Sequence, residues 1–315
     1  MLWLSLCLPG CVQPWLAGEC TVPGDVETTT LEGTVGSEFG ISLAFEHGAL
    51  LMGAPGAGSV HAWPTGEVWN GVDGLGAWVF WEDGVPHAVV RGDGSYRLTE
   101  EVVPEHAMPG VQAFAFGSLN GLPTRVWADG FEVVRLTGGE EQSIQIAGVT
   151  QLVVGDSWVL GVRCDTASCE VWRWDGEAVE VEPIAESGLG ARVAEESGVF
   201  WWSDPMLGQD LGTGRVTTED GEVFEGLPGD HLGRSLSSRF ASGVVNKSTV
   251  PMRARVIERS GQVWAVSDAE ENAWVSTAED LDRVAFGISR ALSSKGSSGR
   301  VEVFSSTSEG DCGAN

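Results

Sequence analysis

Residues 50–59 read LLMGAPGAGS. A short apolar run leads into a loop of small residues. Such a loop either cradles a phosphate or turns the chain at the end of a strand. A Walker-type phosphate loop needs Gly-Lys-Ser/Thr opening a helix. GAPGAGS has no lysine, and the VHAW that follows it reads as a strand. The dinucleotide spacing Gly-x-Gly-x-x-Gly is missing as well. The stretch therefore reads as a buried strand over 50–52. Gly53 and Pro55 end it, and Gly56 and Gly58 turn the chain back into a hairpin.

Six more apolar runs follow: AWVFW at 77–81, AFAF at 113–116, WVLGV at 158–162, VFWW at 199–202, GVV at 243–245 and VAF at 284–286. After a shorter first interval they recur about every 40 residues. Runs this short, bounded by Gly and Pro, suit buried strands better than helices. Between them lies a second series: SVHAW-PTG-EVW from Ser59, TRVWA-DG-FEVV from Thr124, EVWRW-DG-EAVEV from Glu170, GRVTTE-DG-EVF from Gly214 and ARVIER-SG-QVWAV from Ala254. Asp-Gly between alternating runs is a strong hairpin signal, because a tight primed turn needs positive φ. RGDGSYRL from Arg91 is a weaker member, and GRVEVF from Gly299 opens a last one. A third series precedes the apolar runs. EGTVGSEFGISLA (32–44) is repeated by EGLPGDHLGRSLS (225–237), and GSEFGISLAFEHGALLMGAP (36–55) aligns with SGLGARVAEESGVFWWSDP (187–205). Seven units of four short strands fill 33–304. The expected fold is all-β, a seven-bladed β-propeller of four-stranded antiparallel blades.

The 315 residues include 45 acidic and 18 basic side chains, a formal net charge of -27. So acidic a surface repels nucleic acid, whose binding needs clustered Lys and Arg. With 14 Trp and 11 Phe the chain carries too much apolar area to stay unfolded. The first ten residues, MLWLSLCLPG, are apolar and uncharged. They fall short of the ~20 residues that span a bilayer and fit the apolar part of a secretion signal. LPGC at 8–11 resembles the bacterial lipobox. That resemblance implies cleavage before Cys11, a lipid on Cys11 and attachment to a membrane. A cut near LAG at 16–18, or a buried N-terminal strand, are the alternatives. The expected organisation is a signal peptide over 1–10, a tether and closing strand over 11–32, and the propeller over 33–315. Export permits disulfides. Cys164 and Cys169 flank four residues and are expected partners. Cys20 and Cys312 then bracket the seam of the ring, where the β-branched run at 26–31 is expected to complete the last blade. Two frayed ends are the alternative.

The order Phe39-Gly40 and then Gly53-Ala54-Pro55 is similar to the FG-GAP repeat, the family that builds the seven-bladed propellers of integrin α chains and of many bacterial surface proteins. The motif is complete over 36–63, and partial copies stand at 187–205 and 225–245. The resemblance implies a structural role for these five residues and a binding or scaffolding role for the protein. The family often carries a calcium loop with Asp at alternate positions. This chain has AFEHGA there, so no metal and no cofactor is expected.

Candidate chemistry is sparse. His47, His61, His87, His106 and His231 fall in different units without ligand spacing. GRSLS at 233–237 is not a nucleophile elbow, since its fifth residue is Ser. The Glu pairs at 100–101, 140–141, 195–196 and 270–271 read as solvated, and DLD at 280–282 is too short for a calcium loop. Trp201 and Trp202 read as core, or as a sugar-stacking platform at the channel mouth. The expectation is a non-catalytic, monomeric lipoprotein propeller at a bacterial outer membrane or cell surface. Its partner would be a protein or a carbohydrate, not nucleic acid. The alternative is a secreted propeller enzyme of the glycosidase type with its site at the central channel. The sequence names no ligand-binding residue.

Overall fold

The computed structural model describes residues 13–14, 27–164, 168–185, 191–196, 198–205, 213–226, 231–237, 240–245, 252–258, 263–269, 275–280, 283–289, 292–293 and 296–305. Sheet I is built from Leu43–Glu46, Ala49–Ala54, Ser59–Trp63 and Val68–Asn70, side by side in chain order and antiparallel. Sheets II (75–107), III (113–145), IV (149–185), V (192–225) and VI (235–269) repeat this arrangement. Sheet VII takes Val275–Asp280, Arg283–Ile288 and Arg300–Ser305 from the end of the chain. Its outer strand, Glu27–Glu32, comes from the beginning and pairs with Arg300–Ser305 from Glu27↔Ser305 to Glu32↔Arg300. The first strands pack in a circle: Leu43–Glu46 touches Leu75–Glu82 on one side and Val275–Asp280 on the other. The fold is an all-β propeller with four-stranded antiparallel blades.

The count differs from the expected seven. Among the described residues six sheets have four strands. The remaining large one, sheet V, has five, because Gln13–Pro14 adds in parallel to its outer strand Val223–Glu225. An outer strand presents unpaired N–H and C=O groups, and a passing chain end can take them up.

The apolar run at 50–52 is continuous because both faces of its strand are buried. Leu50 and Met52 pack on sheet VII with Ala285, Val301 and Val303. Leu51 points the other way, into a cluster with Leu75, Val79 and Ala88 of sheet II. Period-2 alternation sends neighbours to opposite faces, so a strand sandwiched between two blades must be apolar at every position. Equivalent clusters join II to III, III to IV, IV to V and V to VI.

The phase of the repeat slips in two sheets. The runs at 50–52, 158–162, 199–202, 243–245 and 284–286 lie in or directly before second strands, whereas those at 77–81 and 113–116 lie in first strands, Leu75–Glu82 and Ala113–Leu119. First strands line the central channel, and there sheets II and III present Trp78, Phe80, Phe114 and Phe116. The turn at Asp129–Gly130 accordingly joins the second and third strands of sheet III, not the third and fourth.

Candidate functional site

The repeat-motif residues form a clasp between blades. Phe39 is 4% exposed and bridges Gly299 of sheet VII in parallel. Gly40, at φ +79, lies so close to that sheet that a Cβ would stand 2.7 Å from Val301 Cγ2 and 3.1 Å from the Arg300 carbonyl. Ser276 Oγ donates to the Gly40 carbonyl at 2.6 Å. One blade further on the arrangement recurs. Ser42 Oγ donates to the Gly76 carbonyl at 2.9 Å, and a Cβ on Gly53 would lie 2.1 Å from that oxygen. Between sheets V and VI, Gly233 (φ +87) takes the place of Gly40, Leu232 bridges Gly214, and Ser203 Oγ donates to the Gly233 carbonyl at 2.7 Å. Ala54 is buried in the VII–I cluster, and Pro55 opens a single 3-10 turn, Pro55–Ala57. These five residues hold blades together and offer no reactive group.

A different junction joins sheets II and III. Its base is apolar, with Phe80, Val89 and Met108 against Val111, Phe114 and Trp127. Charge caps it. Glu82 ends Leu75–Glu82, next to the two-residue turn Asp83–Gly84, where both residues have positive φ. That turn pairs Glu82 with Val85 and sets His87 opposite Phe80, so the three side chains share one face. The His87 ring stacks on Phe80 at 4.9 Å, and its side chain is 4% exposed. Glu105 comes from the outer strand, where the register shifts between Pro104 and His106. It is the extra residue of a β-bulge, a device that re-aims a side chain. Arg125 reaches across from sheet III and bonds Glu82 through Nη2 and Glu105 through Nη1, the latter at 2.8 Å. Its guanidinium carbon lies 5.4 Å from the centre of the Phe80 ring.

Burial pushes the Glu105 carboxyl up, but the hydrogen bonds and charges of Arg125 and His87 outweigh it and leave it below the ordinary carboxylate range. Burial likewise pulls Arg125 down, and its two carboxylate partners more than reverse this. The cluster opens into a cleft of about 380 Å³ that His106, Pro123 and Leu136 also line. Glu82, His87 and Glu105 are the one group of three metal-ligand side chains among the described residues. The central channel, about 600 Å³, is mainly aromatic and aliphatic, with Glu46, Gln151 and Glu279 among its polar side chains.

The structure separates the other candidates. Cys164 and Cys169 stand opposite each other on two paired strands of sheet IV and are bonded to each other. Cys11, Cys20 and Cys312 lie outside the described residues. Trp201 is core, with Nε1 donating to the Ser237 carbonyl, and Trp202 packs beside Phe200. His61 hydrogen-bonds Ser59, and burial lowers its pKa. Asp280 accepts from the Gly48 N–H at 2.7 Å and ties sheet VII to sheet I. The II–III cluster was missed in the sequence. Its one legible signal was the hairpin WEDGVPH at 81–87, whose Asp-Gly turn places Glu82 and His87 on one face.

No protein-family profile matches the sequence, and no curated protein matches it. Solved structures do share its fold. A protein of unknown function from Dyadobacter fermentans matches with a TM-score of 0.49 at 12% identity, over 90% of this chain and 100% of its own. BamB from Moraxella catarrhalis matches at 0.45 and 14%, over 85% of each chain. The Cps50 (Swd1) β-propeller domain of Myceliophteria thermophila matches at 0.43 and 12%, over 85% of this chain and 84% of its own. At such identities the likeness is one of fold alone.

Proposed function

We propose that the chain is an exported propeller of the FG-GAP type, held to a membrane through a lipid on Cys11, that serves as a non-catalytic binding or scaffolding module for a protein or glycan at a bacterial cell surface. The clasp carries this reading. Of the residues quoted for the resemblance, Phe39, Gly40 and Ala54 pack at the VII–I junction and Gly53 at the I–II junction, and the copy at 225–237 does the same work as the first of these through Leu232 and Gly233. Counting sheet V as a blade with an added strand makes the ring seven-bladed. The Cys164–Cys169 bond supports an oxidising compartment. The aromatic side chains among the polar groups that line the channel support recognition of a sugar surface.

Two measurements test it. Mass spectrometry of the membrane fraction should find a diacyl or triacyl peptide beginning at Cys11, and an intact Met1 peptide as the main species would refute the anchor. A glycan and protein array probed with the mature protein should retain one ligand class unchanged. Cleavage of retained glycans would move the reading to the glycosidase alternative.

A further inference from the structure

The II–III cluster brings one imidazole nitrogen and two carboxylate oxygens within 4.8 Å of one another. A carbonyl oxygen can only accept, so the 2.9 Å contact between His87 Nδ1 and the Val85 carbonyl places a ring proton on Nδ1. In the neutral ring Nε2 then carries a lone pair. It faces Glu105 Oε2 at 3.3 Å and Glu82 Oε2 at 4.0 Å, both acceptors when ionised. The two carboxylates share the Arg125 guanidinium at the partly exposed mouth of the junction.

We propose that Glu82, His87 and Glu105 bind a divalent transition-metal ion of the zinc class. Ligands about 2.0–2.2 Å from a tetrahedral ion lie roughly 3.4 Å apart. The 3.3 Å between Nε2 and Glu105 fits that edge, and Glu82 reaches it by a small side-chain shift. Mixed imidazole and carboxylate ligands select zinc over calcium, which takes oxygen alone. The Nδ1 bond to a backbone carbonyl is the outer contact that orients a metal-binding imidazole. Arg125 is compatible with the ion, because each carboxylate has about four lone-pair sites and can serve both. Glu82 and Glu105 line the cleft, where a water or a ligand group has room to complete the shell.

The test is a Zn²⁺ titration of the full-length protein by calorimetry, beside Glu105→Gln and His87→Gln. All three carry the same cysteines, so thiol binding is common to them. Wild type should bind one equivalent more than either variant retains, or bind it at least about tenfold more tightly. Zn²⁺ should also raise the melting temperature of wild type and not that of Glu105→Gln. Glu105 stands at the solvent end of the cleft, so its variant decides the question should His87→Gln fail to fold. Equal stoichiometry and affinity in wild type and Glu105→Gln, or no uptake by wild type, overturns the proposal.

Discussion

At the junction of sheets I and II the closest approach is between backbones: Gly53 meets the carbonyl of Gly76, and one serine hydroxyl bridges them. At the next junction, II to III, the backbones stand apart and side chains fill the gap, with Arg125 between Glu82 and Glu105 above stacked aromatic rings. The first solution leaves no room for a side chain at the point of closest approach, so the sequence must supply glycine there. The second admits charge, and charge drawn from water gives little net stability, because desolvation offsets the attraction. A well-packed apolar filling would serve the fold as well. Close packing therefore accounts for the glycine junction, while the charged one adds little net stability.

The largest expected effect breaks the glycine junction. In Gly53→Ala the new Cβ would sit 2.1 Å from the Gly76 carbonyl and 2.3 Å from Ser42 Oγ. Backbone cannot step aside as a side-chain tip can, so the loss should reach about 3 kcal/mol or more, the upper end for overpacking. Gly66→Ala is the control. Gly66 is at φ +78 with nothing near its Cβ position, so only the left-handed strain of about 1–2 kcal/mol applies. Gly53 is not at positive φ, so its loss in denaturant unfolding reports the close approach alone, and Gly66→Ala gives the scale of an open site. Equal losses would show that the close approach does not matter.

The next effect belongs to the charged junction. Arg125→Leu leaves Glu82 and Glu105 facing each other with their carboxylates 22% and 32% exposed. Full burial would make this a loss of about 3–5 kcal/mol, and partial exposure reduces it to about 2. Adding Glu82→Gln and Glu105→Gln should restore most of that, because no uncompensated charge remains. A triple variant no more stable than Arg125→Leu would mean that packing of the arginine stem, and not charge, holds the two sheets.

The same contrast explains what could be read from the chain. The glycine clasp is written in the repeat: aligning 32–44 with 225–237 pairs Gly40 with Gly233, which the structure places in the same role. The Cys164–Cys169 bond was legible because it joins residues only five positions apart. The charged junction is not local. His87 and Glu82 come from one hairpin, but Glu105 enters only through a bulge, and Arg125 belongs to the next blade. No periodicity announces a bulge. Apolar runs report burial and not radial position, which is why AWVFW and AFAF read like the others although they lie in first strands on the channel. The expected strand count missed sheet V because its fifth strand, Gln13–Pro14, is two residues long.

The smallest effect lies at neither junction and sets the background for both. Asp129 sits in the Asp-Gly turn of sheet III, where one carboxylate oxygen accepts from the N–H groups of Phe131 and Glu132, each at 3.0 Å. Those two backbone bonds hold its pKa below the ordinary aspartate value. A carboxyl whose folded value is depressed stabilises the fold above its unfolded value, about 3.9, and loses that contribution as pH falls through the lower folded value. The group lies at the surface and is partly exposed, so solvent screening should keep the contribution under about 1 kcal/mol. Asp129→Ala should therefore be slightly less stable than wild type at pH 7, and the gap should narrow as the pH drops below about 4. Unfolding curves for the two proteins at several pH values between those limits measure it. A gap that stays constant to low pH would assign the effect to turn geometry and not to the carboxylate. A gap as large as that of Arg125→Leu would remove the distinction drawn between a rim carboxylate and the charged junction.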